Sequence, residues 1–303
     1  WNRRLARLFQ GRQTDQRRLE KDFLKEAVCQ APDLVEEIQA MGEGASVPFK
    51  DIFRLNLTEL RAWSEKCTTL IFPIQTSQGR KILLAHNEDW DPERNDVFIL
   101  KVRLPDCSYT VLAYDGYLPG LSSGRNSFGL CHALNYLQPG RIRIGLPRIF
   151  LTRRAVTARS IEEVLSYAKK YRRAFGQAIH LAQGSRYLGL EMTATRVNLW
   201  EPSLPAIHTN HYLTRPGTAN AKSSESSLVR FKRGRELIKQ LPKSFSLSEA
   251  KNRTRKILSD RATWPYSIWR EGDCPEDPGA TVASVLLETG SDLFEVTRRR
   301  PCG

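Results

Sequence analysis

The hydrophobic period of this chain changes at one residue, and that change limits the folds open to it. Upstream of Cys67 the apolar residues recur at helical spacing: in DQRRLEKDFLKEAV, Leu19, Phe23, Leu24, Ala27 and Val28 share one face. Pro32 restarts the pattern in APDLVEEIQAM and the glycines of GEGAS stop it. PFKDIFRLNLTELRAW predicts a third helix leading to Cys67. From Cys67 onward the pattern reads as strands. CTTLIFPI and KILLAHNE flank the turn TSQGR, VFILKVRL and YTVLAYDG flank PDCS, and SFGLCHALNYL follows the turn-like SSGRN. Strands joined by turns this short pair antiparallel, because a parallel crossover needs about a dozen residues or more.

Two helices follow, PRIFLTRRAVTA and SIEEVLSYAKKYRRAF, the second opened by Ser160 with Glu163 three residues on as a capping box. AIHLAQG, YLGLEMTA and RVNLWEP return to strand character. After HTNHYL and the polar linker RPGTANAKSSE, helices run through 225 to 262, with Ser246 and Glu249 as a second capping box. ATVASVLLET and DLFEVTRR close the chain as a hairpin. Runs of strands, then helices, then strands predict an α+β fold of two antiparallel sheets covered by helices in layers.

Composition narrows the function classes. With 303 residues and 40% hydrophobic side chains the chain can bury a substantial core. Its apolar runs fall far short of the roughly 18 to 20 residues of a membrane span. The net charge of +14 comes from 47 basic against 33 acidic residues. The basic residues are spread through helical stretches such as KKYRRAF and RFKRGRELIKQ and do not interleave with aromatics, so solvated helix faces are expected and nucleic acid is not the expected partner.

Cys29, Cys67, Cys107, Cys131, Cys274 and Cys302 form no CxxC pair and no zinc-ligand spacing, which fits a reducing interior. The first residues, WNRRLARLFQGRQ, lack the apolar stretch of a secretory signal; since the chain begins at Trp1, this says little about compartment, and a cytoplasmic or organellar protein is expected.

Cys67 opens the first strand. A free thiol is mostly protonated at neutral pH, so as a nucleophile it needs a base or a depressed pKa. One solution is a histidine, and the chain offers His86, His132, His180, His208 and His211 with no local signature selecting any. The other is a cut between Lys66 and Cys67. The α-amino group so freed has a reference pKa of about 7.7 to 8.0, suited to proton transfer at neutral pH. A buried structural cysteine is the plain alternative to both.

The leader LVEEIQAMGEGASVPFKDIFRLNLTEL, then CTTL, HNEDW, GRNSFGLCHALNYL, HTNHYL and TVASVLLE, in this order, resemble the acyl-coenzyme A:6-aminopenicillanic acid acyltransferase family. That family also contains β-alanyl-dopamine hydrolase and is a branch of the N-terminal-nucleophile (Ntn) hydrolases related to choloylglycine hydrolases. The resemblance covers roughly residues 30 to 303. It implies a four-layer αββα sandwich and an inactive precursor, with 1–66 as helical leader and 67–303 as catalytic domain. It further implies autocatalytic cleavage before Cys67 and acyl transfer or amide hydrolysis through a thioester. The family usually has glycine before the nucleophile, whereas this chain has Lys66, a departure that bears on the strained geometry of self-cleavage.

The resemblance also implies site residues. Asp89 in HNEDW matches the acidic residue that holds the freed amino group; otherwise it is a loop-end carboxylate. Asn135 matches an oxyanion-hole asparagine of the choloylglycine hydrolases, with a buried structural hydrogen bond as the alternative. Asn210 in HTNHYL is the stronger candidate for oxyanion donor. Arg230 matches an arginine beside the cysteine, though Arg233 and Arg235 make that alignment slip easily. His208 and His211 flank Asn210, but no third residue has metal-ligand spacing, so no metal and no cofactor are expected. Acyl-coenzyme A enters only as a possible substrate. Trp90, Tyr114 and Tyr117 are candidates for a substrate pocket or for the core.

The expectation is therefore an autoprocessed amidohydrolase or acyltransferase acting on a small-molecule amide or acyl thioester, with the two fragments of one chain as partners. A cysteine hydrolase with a histidine base, among His132, His208 and His211, is the second reading. A basic binding protein without catalysis is the third.

Overall fold

The computed structural model describes residues 13–58, 66–91, 97–138, 140, 142–215, 223–275 and 279–298. The end of the third expected helix, the stretch leading into Cys67 and most of the 215–225 linker lie outside these residues.

Three helices, α1 (Gln13–Gln30), α2 (Pro32–Ala45) and α3 (Phe49–Leu55), precede β1 (Lys66–Thr76). The strands β2 (Gly79–Trp90), β3 (Val97–Arg103), β4 (Ser108–Tyr114), β5 (Ser123–Asn126) and β6 (Leu130–Tyr136) follow. Next come α4 (Arg148–Thr157), α5 (Ile161–Lys170), β7 (Gln177–Gln183), β8 (Arg186–Met192), β9 (Val197–Trp200) and β10 (Ala206–His208). The last elements are α6 (Glu225–Lys239), α7 (Leu247–Leu258), β11 (Ala280–Glu288) and β12 (Phe294–Thr297). One sheet runs β10-β1-β2-β11-β12 and the other β3-β4-β5-β6-β7-β8-β9, with every pairing antiparallel.

The first sheet is buried on both faces, which is why its strands read as nearly continuous apolar runs. Leu70, Phe72 and Ile74 of β1 pack outward with Ile257 and Leu258 of α7. Ile71, Ile82, Leu84 and Val285 join the other core, with Leu134, Ile179 and Leu181 of the facing sheet. Residues 67, 69 and 71 therefore point between the sheets and 66, 68 and 70 toward the helices α6 and α7. Helices α4 and α5 cover the second sheet, completing helix, sheet, sheet, helix.

The leader helices share the main core: Phe23, Ala27, Leu34, Ile38 and Phe53 cluster with Ile149 and Phe150 of α4. Arg153 pairs with Glu37 at 2.9 Å and Arg154 with Asp33 at 2.6 Å across the same joint. Asn56 ties the end of α3 to the β4–β5 loop, donating to Gly116 O at 2.9 Å and accepting from Leu118 N at 2.8 Å.

The expected hairpins β1–β2, β3–β4 and β11–β12 form, and the capping box at Ser246 and Glu249 is complete. Two strands depart from the expected reading. SSGRN, read as a turn, contains β5, and a short strand, β10, ends in the first residue of HTNHYL. Both are held by backbone pairing with flanking strands rather than by an apolar period, so neither has a hydrophobic signature. At Ser160 only half of the box forms: its oxygen accepts from Glu163 N, while Glu163 turns to the Arg159 N–H. Among the described residues, no helix is long and apolar enough to cross a membrane.

Candidate active site

Cys67 is the second residue of β1 and is 3% exposed. Its backbone is held from three directions. The Cys67 N–H donates to Oδ1 of Asn210 at 2.9 Å. The Cys67 carbonyl accepts from Nδ2 of Asn135 at 3.1 Å and from a guanidinium nitrogen of Arg230 at 2.7 Å. Arg230 also donates to Thr68 Oγ1 at 2.8 Å and to Asn210 Oδ1 at 2.7 Å, so one guanidinium bridges the strand and the 210 loop.

The helix-facing side of this strand end is rich in charge. The β1–β2 register sets Lys66 opposite Asp89 and Cys67 opposite Glu88, so Asp89 lies on the face away from the thiol. Asp89 Oδ1 accepts from Thr281 Oγ1 at 2.7 Å, while Oδ2 has no hydrogen-bond partner among the described residues. Burial pushes the Asp89 carboxyl up, and the charges of Arg270 and Arg230 partly offset it. Burial pulls Lys66 down to about 7, with repulsion from Arg270 and Arg230 adding to the effect. Arg230, wholly buried, falls to about 10 for the same reason and stays a cation at neutral pH.

Between the sheets the thiol meets a polar cluster. Cys67 Sγ, a ring nitrogen of His86 and a carboxylate oxygen of Glu88 all lie within 4.8 Å of one another. His86 Nε2 is 3.0 Å from Glu88 Oε2, which also accepts from Ser122 Oγ. Asn135 is fixed by two donors to its Oδ1, Thr69 Oγ1 at 2.7 Å and His180 Nε2 at 2.8 Å. His180 Nδ1 then accepts from the Tyr187 hydroxyl at 2.6 Å. Burial holds His180 well below the usual histidine range and His132 down to about 4, so both are neutral.

The loop carrying Asn210 is anchored underneath. Asn210 N donates to Ser227 Oγ at 2.7 Å and its Nδ2 to Tyr136 O at 3.0 Å, so Asn210, expected as an oxyanion donor, meets Cys67 as an acceptor while its amide donor bonds a backbone carbonyl. Glu191 accepts from the backbone N–H groups of Leu213 and Thr214, each at 2.7 Å, and lies 2.8 Å from His208 Nε2. Burial raises its carboxyl, but the His208 hydrogen bond and charge and the backbone donors outweigh burial, and its pKa is lowered. His211 packs edge-on against Phe231 and is pulled down to about 4 by burial.

Thus Cys67, Asn135, Asn210 and Arg230 converge on one backbone position, while Asp89 sits on the opposite face of the same strand pair. The alternative arginines are occupied elsewhere: Arg233 pairs with Asp260 and Arg235 covers the Phe231 ring. In the core the Tyr114 ring meets Trp90 at a tilt and Tyr117 edge to face. His208 and His211 serve the 210 loop. Sequence reasoning missed Glu88 and did not single out His86; the signal was their two-residue spacing, which puts both on one face of β2, and the β1–β2 register makes it the Cys67 face. Cys67, His86 and Glu88 are also the group among the described residues with donors close enough to hold a metal ion. Binding one would cost His86 a bond to Thr69 or Glu88. Among the described cysteines all are unbridged, and burial pushes Cys131 up to about 12, which marks it as an inert core thiol. A cleft of about 1000 Å³ lined by Lys101, Tyr109, Arg125 and Asp292 opens at the other end of β11.

Two facing antiparallel sheets between helical layers, with a buried cysteine at a strand's start, define the Ntn-hydrolase fold. The same architecture is found in penicillin V acylase from Agrobacterium tumefaciens, which aligns with 77% of this chain and 83% of that one at 16% identity and a TM-score of 0.52. The chain belongs to the acyl-coenzyme A:6-aminopenicillanic acid acyl-transferase family, whose sequence model matches residues 75–293. It is 26% identical to the β-alanyl-dopamine/carcinine hydrolase of Drosophila melanogaster over 312 aligned positions, covering 89% of this chain and 77% of the relative.

Proposed function

We propose that this protein is an amidohydrolase or acyltransferase that cuts itself between Lys66 and Cys67 and then works through a cysteinyl thioester. The observation that carries the reading is the convergence of Asn210, Asn135 and Arg230 on the two backbone groups of Cys67. A structural cysteine has no need of such a cage. Residues 1–66 form the leader, retained after the cut by its shared core with α4, and 67–303 form the catalytic part.

In this scheme Cys67 attacks the carbonyl of an amide or acyl thioester. Once cut free, its α-amino group protonates the departing nitrogen or sulfur, and water or an amine then releases the acyl group. Asn210 holds that amine through Oδ1. Asp89 offers the amine's charge a counterion, since its Oδ2 is buried without a hydrogen bond among the described residues. Asn135 supplies an amide donor for oxyanion charge, and Arg230 keeps the Cys67 surroundings positive. The name of the Drosophila relative supports an amide C–N bond as the target, and the family name keeps acyl-coenzyme A open as an acyl donor. No resident cofactor enters.

Intact-mass measurement of freshly expressed protein tests this. Two fragments divided before Cys67 are expected from wild type and one chain from Cys67→Ala. A single uncut wild-type chain that still hydrolyses amides would favour the second reading, a cysteine hydrolase using a histidine. The observation favouring that reading is the approach of His86 and Glu88 to Sγ, with His86 as the base in place of His132, His208 or His211.

A further inference from the structure

While the Lys66–Cys67 link is whole, the nitrogen of Cys67 is an amide whose N–H is donated to Asn210. An amide cannot act as a base, so the thiol that must attack the Lys66 carbonyl needs another proton acceptor. We infer that the buried His86–Glu88 pair takes the Cys67 thiol proton for the self-cleavage step, before any α-amino group exists. The inference rests on the processing reading above.

Hydrogen-bond directions define what the pair holds. The Thr69 hydroxyl donates its proton to Asn135 Oδ1 at 2.7 Å. Its oxygen therefore accepts from His86 Nδ1–H at 2.9 Å. His86 Nε2 faces Glu88 Oε2 at 3.0 Å, so that contact has a place for one further proton, the one the thiol gives up. Ser122 donates to the same carboxylate oxygen. Sγ lies within 4.8 Å of both members, and all three side chains are buried. Among the described residues, the other titratable groups whose charge His86 feels are His132 of β6 and His180 of β7, both neutral. Asp89 and Lys66 are on the far face of the sheet.

The step balances. The thiol proton passes to the pair, and the thiolate attacks the Lys66 carbonyl carbon. The C–N bond breaks as the nitrogen recovers a proton from the pair, leaving the Lys66 acyl group on Sγ and a free amine on Cys67. Water hydrolyses that thioester to the Lys66 carboxylate and the thiol. From then on the amine lies on the nucleophile's own residue, and the pair is no longer required as the base.

The test follows fragment formation in freshly purified full-length protein by intact mass between pH 5.5 and 8.5, for wild type, His86→Gln and Glu88→Gln. General-base help is worth about 10²- to 10⁴-fold. Cutting should slow about 100-fold or more in the variants, and the residual rate should rise about tenfold per pH unit as hydroxide replaces the pair. Glu88→Gln, which keeps shape and an acceptor for Ser122, decides the matter if His86→Gln does not fold, as read by far-UV circular dichroism. Variants that cut at the wild-type rate, or more slowly with an unchanged pH profile, overturn the inference and leave self-processing standing. A wild-type chain that never cuts removes the processing reading and this inference with it.

Discussion

Asn210 and Cys67 are 143 residues apart in sequence, yet the side-chain oxygen of one accepts the backbone N–H of the other at 2.9 Å. An asparagine in this position orients the nitrogen that self-cleavage would free. Asn210→Ala should lower the rate at which an activated acyl ester labels Cys67 by about 100-fold, the order of loss that a misplaced reacting group causes. Asn210→Asp keeps the acceptor and should lose less. Equal labelling rates in all three proteins would remove Asn210 from the site.

Arg230 should matter to stability as well as reactivity. It is wholly buried and bonds Cys67 O, Thr68 Oγ1 and Asn210 Oδ1. Removing one member of a buried charged network costs about 3 to 5 kcal/mol, because Asp89 loses one of the cations offsetting its burial. Urea unfolding of Arg230→Ala is the measurement, with Arg233→Ala as the exposed-side comparison expected to lose about 1 kcal/mol or less.

The approach of α6, which carries Arg230, depends on Gly234. A Cβ there would sit 2.0 Å from Ile207 Cδ1 on β10. Gly234→Ala gains about 1 kcal/mol of helix propensity and loses about 1 to 3 kcal/mol to overpacking. A lowered melting temperature is expected, and adding Ile207→Val, which deletes the clashing methyl, should recover it. A stabilised single variant would show that the helix has room to shift.

Acid should loosen the Asn210 loop through Glu191. Its carboxyl is depressed in the fold from the ordinary 4.5 by His208 and the donors of residues 213 and 214. A depressed acid contributes stability that is complete above the unfolded pKa and fades as pH falls through the lower folded value. Melting temperature in wild type should therefore drop below about pH 4.5 more steeply than in Glu191→Gln. Parallel curves for the two proteins would contradict this.

The layered fold was legible in the primary structure because both faces of the first sheet are buried and its hairpin turns are short. β5 and β10 were not, since a four-residue and a three-residue strand held by backbone pairing leave no apolar period. Around the site, Asn135 and Asn210 stand out as polar residues in or beside strands. Glu88 does not, because a carboxylate at a strand end looks the same whether it faces solvent or a thiol.

The sequence alone determined which residues alternate, where helices give way to strands, and that the first strand begins within one residue of Cys67. Those are local properties of the period of apolar side chains. Tertiary structure alone decided that Cys67 faces His86 and Glu88 while Asp89 turns to Arg230 and Arg270. That choice follows from cross-strand register, in which a shift of one residue exchanges the two faces of a strand. Long-range pairing fixes that register.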